Sequence, residues 1–113
     1  MNIKLKDIAY TRSGDKGPNA NVGIIFKNKD LYNWSIKYFT NDLIKKYFGN
    51  KIKGNVIRYE LENLNSLNFI LNDCLMGGGS ETLINDAQGK TFGQALLEID
   101  INIPDNLLDV KND

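Results

Sequence analysis

The segment from Ala9 to Gly23 constrains the fold more than any other part of the chain. It leads from one strand pattern, Ile3–Thr11, through a glycine-containing turn into a second strand pattern, Ala20–Lys27. The alternation of the first pattern slips at Lys6 and Asp7, where we expect a β-bulge. The N-terminal quarter of the chain is therefore expected to contribute two neighbouring strands to a sheet.

Helical and strand patterns then follow one another along the chain. They are, in order, a helix capped by Asp30, a helix from Thr40 to Gly49, a strand at Asn55–Leu61, a helix at Leu64–Leu75 and a strand at Glu98–Ile103. Interspersed strands and helices in one short chain predict an α+β fold, with a mixed β-sheet and helices packed on it.

Size and charge narrow the class of protein. A chain of 113 residues predicts one domain, which we place at residues 1–104, followed by a polar tail at 105–113 that is the one candidate for disorder. Fourteen basic residues balance fourteen acidic ones, so we expect neither nucleic acid nor an anionic membrane as a partner. A single cysteine, Cys74, cannot form an internal disulfide, which favours a cytoplasmic protein.

The chain contains no histidine. This excludes Ser-His-Asp and Cys-His catalysis and every histidine-based metal site within the chain itself. With one cysteine, zinc and iron–sulfur clusters are excluded as well. We therefore expect no metal and no cofactor, and any catalysis would rest on carboxylates, lysines, tyrosines or hydroxyls.

The turn itself concentrates reactive side chains. Arg12, Ser13, Gly14, Asp15, Lys16 and Gly17 follow one another directly. Glycines allow successive N–H groups to converge on an anion, and the cationic side chains would add charge. The alternative is an ordinary hairpin connection in which glycine and aspartate satisfy turn geometry.

The two arginines form a second group of candidates. Twelve of the fourteen basic residues are lysines, and only Arg12 and Arg58 are arginines. The planar guanidinium binds carboxylate or phosphate with two parallel hydrogen bonds, which lysine cannot do. Arg58 can also be explained by an ion pair with Glu60 on the same strand face, and we slightly favour that interpretation.

Three further features are weaker candidates for binding. Gly77, Gly78 and Gly79 would suit close backbone approach or a mobile flap, and equally a flexible connection. The amides Asn21 and Asn68 interrupt small or apolar segments, where buried amides usually satisfy nearby backbone groups.

Taken in order, these motifs resemble a known family. The sequence runs Tyr-x-Arg-Ser-Gly-Asp-Lys-Gly from Tyr10, Ala-Asn-Val-Gly from Ala20, Arg-Tyr-Glu-Leu from Arg58, the triple glycine, and Asp-Ala-Gln-Gly-Lys from Asp86. From about Leu5 to Pro104 this set resembles the AtuA-like ferredoxin-fold family, the small domain of acyclic terpene utilisation proteins.

The resemblance implies a ferredoxin-like fold and a partner. The domain occurs in that family behind a large AtuA-type domain or as a short separate chain, so a larger AtuA-like protein is the expected partner. It also implies catabolism of branched or terpenoid acids as acyl-CoA derivatives. The family often has aspartate where this chain has Pro18, which puts the role of that position in doubt.

Three functions remain open from the sequence. We favour an accessory subunit, non-catalytic on its own, that contributes the Arg12–Gly17 segment to a site for an acyl-CoA or other anion. The alternatives are an independent enzyme that uses Asp15 or Lys16 as acid or base, and a structural oligomerisation module with a homo-oligomer as the product.

Overall fold

The computed structural model describes residues 1–74 and 92–107 of the chain. Its strands are β1 (Asn2–Lys4), β2 (Ala9–Lys16), β3 (Asn19–Phe26), β4 (Val56–Leu61), β5 (Ser66–Leu71) and β6 (Asp100–Asn102). Its helices are α1 (Lys29–Tyr38) and α2 (Asn41–Phe48), and residues 92–97 are also helical. None of the described helices is long and apolar enough to cross a lipid bilayer.

Four of the strands form one sheet in the order β2-β3-β5-β4, and β1 pairs with β6 in a separate two-stranded sheet. Every described pairing is antiparallel. One row across the four-stranded sheet consists of Arg12, Gly23, Asn68 and Tyr59, each opposite the next. With helices packed on the sheet, the predicted α+β class is confirmed.

The predicted first strand is two strands with a turn between them. A 3-10 turn at Leu5–Asp7 separates β1 from β2 and sends them into different sheets. Leu5 is fully buried in this turn, and the Lys4 amide donates to Asp7 Oδ2 at 3.1 Å. The expected bulge at Lys6 and Asp7 is therefore wrong, because the irregularity ends one strand and begins another.

Side-chain caps define where both helices begin. The Leu31 amide donates to Asn28 Oδ1 at 2.9 Å, so Asn28 caps α1 and the prediction of Asp30 is wrong by two residues. The Leu43 amide donates to Thr40 Oγ1 at 3.1 Å, which confirms Thr40 as the start of the second helix. Gly49 ends that helix with φ 60°, as predicted.

The helix predicted at Leu64–Leu75 is wrong. The segment is a 3-10 turn at Glu62–Leu64 followed by the central strand β5. Leu67, Phe69 and Leu71 are fully buried on one face of this strand. Cys74 is buried as expected, although it follows the turn at residues 72–73 after β5 and does not belong to a helix.

The core lies on one face of the four-stranded sheet. The buried row of β3, which includes Val22, Ile24 and Phe26, packs with the buried row of β5 in a single hydrophobic cluster. Leu31 and Phe39, from α1 and its C-cap, belong to the same cluster and are fully buried. Because alternate strand residues point to opposite faces, the other half of each strand lies on the face away from this core.

Candidate functional site

The face of the four-stranded sheet opposite the core is the candidate functional surface. We call it the open face, and it carries Tyr10, Arg12 and Gly14 of β2, Asn21, Gly23 and Ile25 of β3, Ser66, Asn68 and Ile70 of β5, and Ile57, Tyr59 and Leu61 of β4. All of these residues except Ser66 are exposed or half-buried. A sheet with one packed face commonly leaves its second face to solvent.

A depression of about 360 Å³ lies in the open face. Its lining consists of Arg12, Ser13, Gly14, Asn21, Gly23, Ile25, Leu61, Leu64, Ser66, Leu67 and Asn68. All four strands of this sheet and the turn before β5 therefore contribute to one concave surface. Its size falls within the range of small-molecule sites in proteins.

Two glycines make room for two asparagine side chains. Gly14 lies opposite Asn21, and a Cβ placed on Gly14 would be 3.4 Å from Asn21 Oδ1. Gly23 lies opposite Asn68, and a Cβ placed there would be 3.6 Å from Asn68 Oδ1. Because neither glycine carries a side chain, both amides can lie across the floor of the depression. Each amide offers two N–H donors and one acceptor to a ligand.

Arg12 supplies the charge. Of the described residues that line the depression, Arg12 alone is ionised at neutral pH. It is exposed in β2, one row from Gly14 and directly opposite Gly23. A guanidinium beside two amides makes a surface of hydrogen-bond donors, which suits a carboxylate or a phosphate.

The other side of the depression is apolar. Ile25, Leu61 and Leu64 lie there, and Leu64 is 64% exposed. The turn that presents Leu64 is fixed by a bond of 2.8 Å from Ser66 Oγ to the Leu64 carbonyl and by the left-handed backbone of Asn65, φ 50°. A ligand with an anionic end and an aliphatic body therefore matches the two halves of the surface.

The structure brings together five of the residues predicted as a site. Arg12, Ser13, Gly14, Asn21 and Asn68 all line the depression. Ser13 belongs to the opposite row of β2, near the helical segment 92–97, since a Cβ on Gly93 would come 2.9 Å from Ser13 Oγ. Its backbone is thus placed at the depression while its side chain faces the packed layer.

The predicted turn from Ser13 to Gly17 is shorter than expected. Strand β2 continues to Lys16, and the hairpin closes through Gly17 and Pro18, with Lys16 opposite Asn19. Gly17 has φ 59° at the first position of this two-residue loop, where primed hairpin turns require a positive value. Residues 13–16 are extended and paired with β3, which favours the ordinary hairpin connection over a nest of converging N–H groups.

Asp15 and Lys16 are the last two residues of β2, opposite Ala20 and Asn19. Their suggested role as acid and base stays a prediction. Gly77, Gly78 and Gly79 lie outside the described residues.

Arg58 lies on the packed face, away from the depression. Its Nη1 donates to the carbonyl oxygens of Ile36 at 2.6 Å and Phe39 at 2.9 Å, at the end of α1. Its Nη2 forms an ion pair with Glu60 at 3.0 Å, which confirms that interpretation of the residue. Arg58 therefore holds α1 against β4 and does not share a site with Arg12.

Sequence reasoning missed the apolar half of the depression. Gly23, Ile25, Leu61, Leu64, Ser66 and Leu67 line it as well. Ser66 and Asn68 are two residues apart, so they share one face if the segment is a strand. The leucines of the same segment also fit helical spacing, and the strand pattern alone therefore does not identify this face. Recognition of β5 as a strand would have placed Asn68 beside Gly23.

The titratable groups with shifted pKa values lie elsewhere. The bond to Asp100 raises the pKa of Lys4, and burial raises the pKa of Tyr32 and of Tyr47. In the described ranges no group of histidine, cysteine or carboxylate side chains could hold a metal ion. The described side chains of the depression offer hydrogen-bond donors, one cation and an apolar wall.

The fold and this surface define an α+β domain whose sheet is packed on one side and carries a polar depression on the other. The chain belongs to the AtuA ferredoxin-like domain family, whose model matches residues 3–102. The family resemblance noted from the sequence is thereby confirmed. No curated protein and no solved structure gives a significant match to the chain.

Proposed function

We propose that this chain is an accessory domain that binds the anionic group of a small organic ligand at Arg12 and acts together with a larger AtuA-like protein. The observation that carries the proposal is the depression in the open face, where Arg12 lies with Asn21 and Asn68. A bidentate guanidinium flanked by amide donors is a recurrent way to hold a carboxylate or phosphate.

A binding role is better supported than an independent catalytic one. The described lining of the depression offers an arginine, amides, a serine whose hydroxyl donates to the Leu64 carbonyl, and apolar side chains. None of these is a general base with a pKa near neutrality, which proton-transfer catalysis requires. A partner would supply the reacting groups, and this domain would orient the ligand.

The ligand we propose is an acyl-CoA or the corresponding branched or terpenoid acid. Membership of the AtuA ferredoxin-like family supports the link to this class of compound. The two halves of the depression, one polar and one apolar, independently support this class of ligand. An aliphatic body would lie against Ile25, Leu61 and Leu64 while the anionic group contacts Arg12.

The test of the partner is affinity purification of the chain from its native cells. We expect stoichiometric recovery of a larger AtuA-like protein. The test of the ligand is isothermal titration of that complex with a branched acyl-CoA, comparing the wild type with Arg12→Gln and with the control Lys46→Gln. Lys46 is exposed on α2, so the control removes the same charge from the opposite side of the domain.

We expect Arg12→Gln to weaken binding about tenfold to a hundredfold, the loss typical of a charge-assisted hydrogen bond. Lys46→Gln should leave the affinity unchanged. Equal affinities for all three proteins would contradict a site at Arg12. Recovery of the small chain alone, under conditions that preserve other complexes, would contradict the partner.

A further inference from the structure

Strand β4 lies at one edge of the four-stranded sheet. It pairs with β5 along Val56–Leu61, and it has no second strand beside it in the described part of the chain. An edge strand presents a row of free N–H and C=O groups to any strand that approaches it. Every second residue of the six in β4 presents its groups outward, and six residues are long enough to form a complete strand pair.

Two of the residues that usually prevent such pairing are missing from this edge. Lysine and proline are both absent from the strand sequence Val-Ile-Arg-Tyr-Glu-Leu. Three large side chains project from its open-face side, where Ile57 is 40%, Tyr59 52% and Leu61 41% exposed. A contiguous row of exposed aromatic and aliphatic side chains on a free edge is typical of an interaction surface.

The two charges of β4 specify what can pair with it. Arg58 and Glu60 lie two residues apart on the packed-face side and form an ion pair with each other. Glu60 remains half-exposed, so its carboxylate can accept a second partner. If a second β4 runs antiparallel with Tyr59 at the centre, each Arg58 lies opposite Glu60 of the second copy. In the same register each Ile57 lies opposite Leu61 of the second copy.

We propose that β4 pairs with β4 of a second copy of this chain, antiparallel and centred on Tyr59, so that two domains share one continuous sheet. The charges are self-complementary in this register, and the exposed apolar row forms aromatic and aliphatic cross-strand pairs. Both open faces then lie on the same side of the joined sheet. The proposal is independent of the ligand at Arg12 and of the larger partner.

The first test is the mass of the purified chain in solution. Sedimentation equilibrium from micromolar to millimolar concentration should show a reversible monomer–dimer equilibrium. Glu60→Arg places like charges opposite each other at two symmetric positions, so we expect the dissociation constant to rise about tenfold or more. Asp30→Arg makes the same change at an exposed residue of α1 and should leave the equilibrium unaltered.

Cysteine substitution tests the register. In the proposed pair the two copies of position 59 are opposite each other, within the range of Cα separations that a disulfide spans. Tyr59→Cys should therefore form a covalent dimer under mild oxidation. The two copies of position 57 would be about 14 Å apart, so Ile57→Cys should not form one. The native Cys74 is buried and is the same in both variants.

Three results would overturn the proposal. A monomer throughout the concentration range would exclude the second copy, and so would a dimer whose affinity is the same in Glu60→Arg. Equal cross-linking of both cysteine variants would exclude the register. Pairing of the edge only with the larger AtuA-like protein, lost in Glu60→Arg, would assign β4 to that partner instead. Thermal unfolding of each variant verifies that it is folded.

Discussion

Gly23 lies directly opposite Asn68 in the β3–β5 ladder, and a Cβ on Gly23 would stand 3.6 Å from the Asn68 Oδ1 atom. The missing side chain leaves the floor of the depression open, and Asn68 extends across it. Arg12 is the neighbour of Gly23 on the other side, in β2. One row of the sheet therefore combines the cation, the space and the amide on which the proposed binding depends.

Gly23→Val should remove binding without loss of stability. The nearest atoms to a Cβ at this position are 3.6 Å and 3.8 Å away, which is ordinary contact, and valine is favoured in strands. The isopropyl group would occupy the floor of the depression. We expect the free energy of unfolding to stay within about 1 kcal/mol of the wild type, with ligand affinity lost. Urea unfolding and calorimetric titration measure the two quantities, and a variant that binds normally would contradict the site.

Substitution of Arg58 should reduce stability, whereas substitution of Arg12 should reduce ligand binding. Arg58→Ala leaves the carbonyl oxygens of Ile36 and Phe39 without their donor, so we expect a loss of about 1–3 kcal/mol in the free energy of unfolding. Arg12→Ala removes an exposed side chain and should change stability by less than about 0.5 kcal/mol while abolishing binding. Each arginine serves as the control for the other in urea unfolding. Equal destabilisation by both substitutions would show that Arg12 is structural.

Gly54→Ala should destabilise the domain although the residue is far from the depression. A Cβ at Gly54 would come 2.7 Å from the Asn72 carbonyl oxygen, a backbone atom that also accepts the Gly54 amide at 3.0 Å. Relief requires the connection into β4 to move away from the end of β5. We expect a loss of about 1–3 kcal/mol by thermal unfolding. Gly49→Ala is a poor control because its φ is 60°, whereas Gly23→Ala meets only ordinary contacts.

Stability should fall at alkaline pH. Burial raises the pKa of Tyr32, so the folded state keeps the phenol proton at pH values where the unfolded chain has lost it. The contribution of Tyr32 to stability is complete below the pKa of tyrosine in the unfolded chain, about 10. It is lost as the pH rises through the raised pKa of the folded state. Desolvation also raises the pKa of the partly exposed Tyr47, whose hydroxyl donates to the Ala95 carbonyl at 2.6 Å, so this group acts in the same direction.

Tyr32→Phe cannot ionise and should reduce this alkaline loss of stability. Unfolding in urea at pH 7 and at pH 10.5 gives the comparison, where the higher pH lies about half a unit above the usual tyrosine pKa. A wild type and a Tyr32→Phe variant with the same pH dependence would contradict the assignment. The exposed Tyr10 provides the control substitution, since Tyr10→Phe removes the same hydroxyl group from the surface of the domain.

The sequence predicted most elements of the fold but misassigned the central strand. Leu64, Leu67, Leu71 and Cys74 recur at helical spacing, whereas Leu67, Phe69 and Leu71 alternate at strand spacing. Both patterns are present, and periodicity alone does not separate them in a short apolar segment. The segment forms a strand because it pairs with β3 on one side and β4 on the other, and neither pairing is visible in a local sequence pattern.

The sequence predicted several residues that line the depression but not their arrangement. The sequence indicates Arg12, Asn21 and Asn68 separately as candidates, and the structure places them around one depression. The expected loop became a strand because Gly17 and Pro18 suffice to close the hairpin. The sequence does not indicate Leu61 and Leu64 as site residues, since their exposure depends on which face of the sheet the helices cover.

The proposed function depends most on the binding of an anion at Arg12 in the open face. The direct measurement is a titration of the ¹⁵N-labelled chain with isovalerate, a branched carboxylate, followed by two-dimensional NMR. We predict saturable shifts confined to the backbone of Arg12 and Gly23 and to the side-chain amides of Asn21 and Asn68. In Arg12→Gln the same shifts should require about tenfold to a hundredfold more isovalerate. Shifts centred on α1 or α2, or identical shifts in both proteins, would contradict the claim.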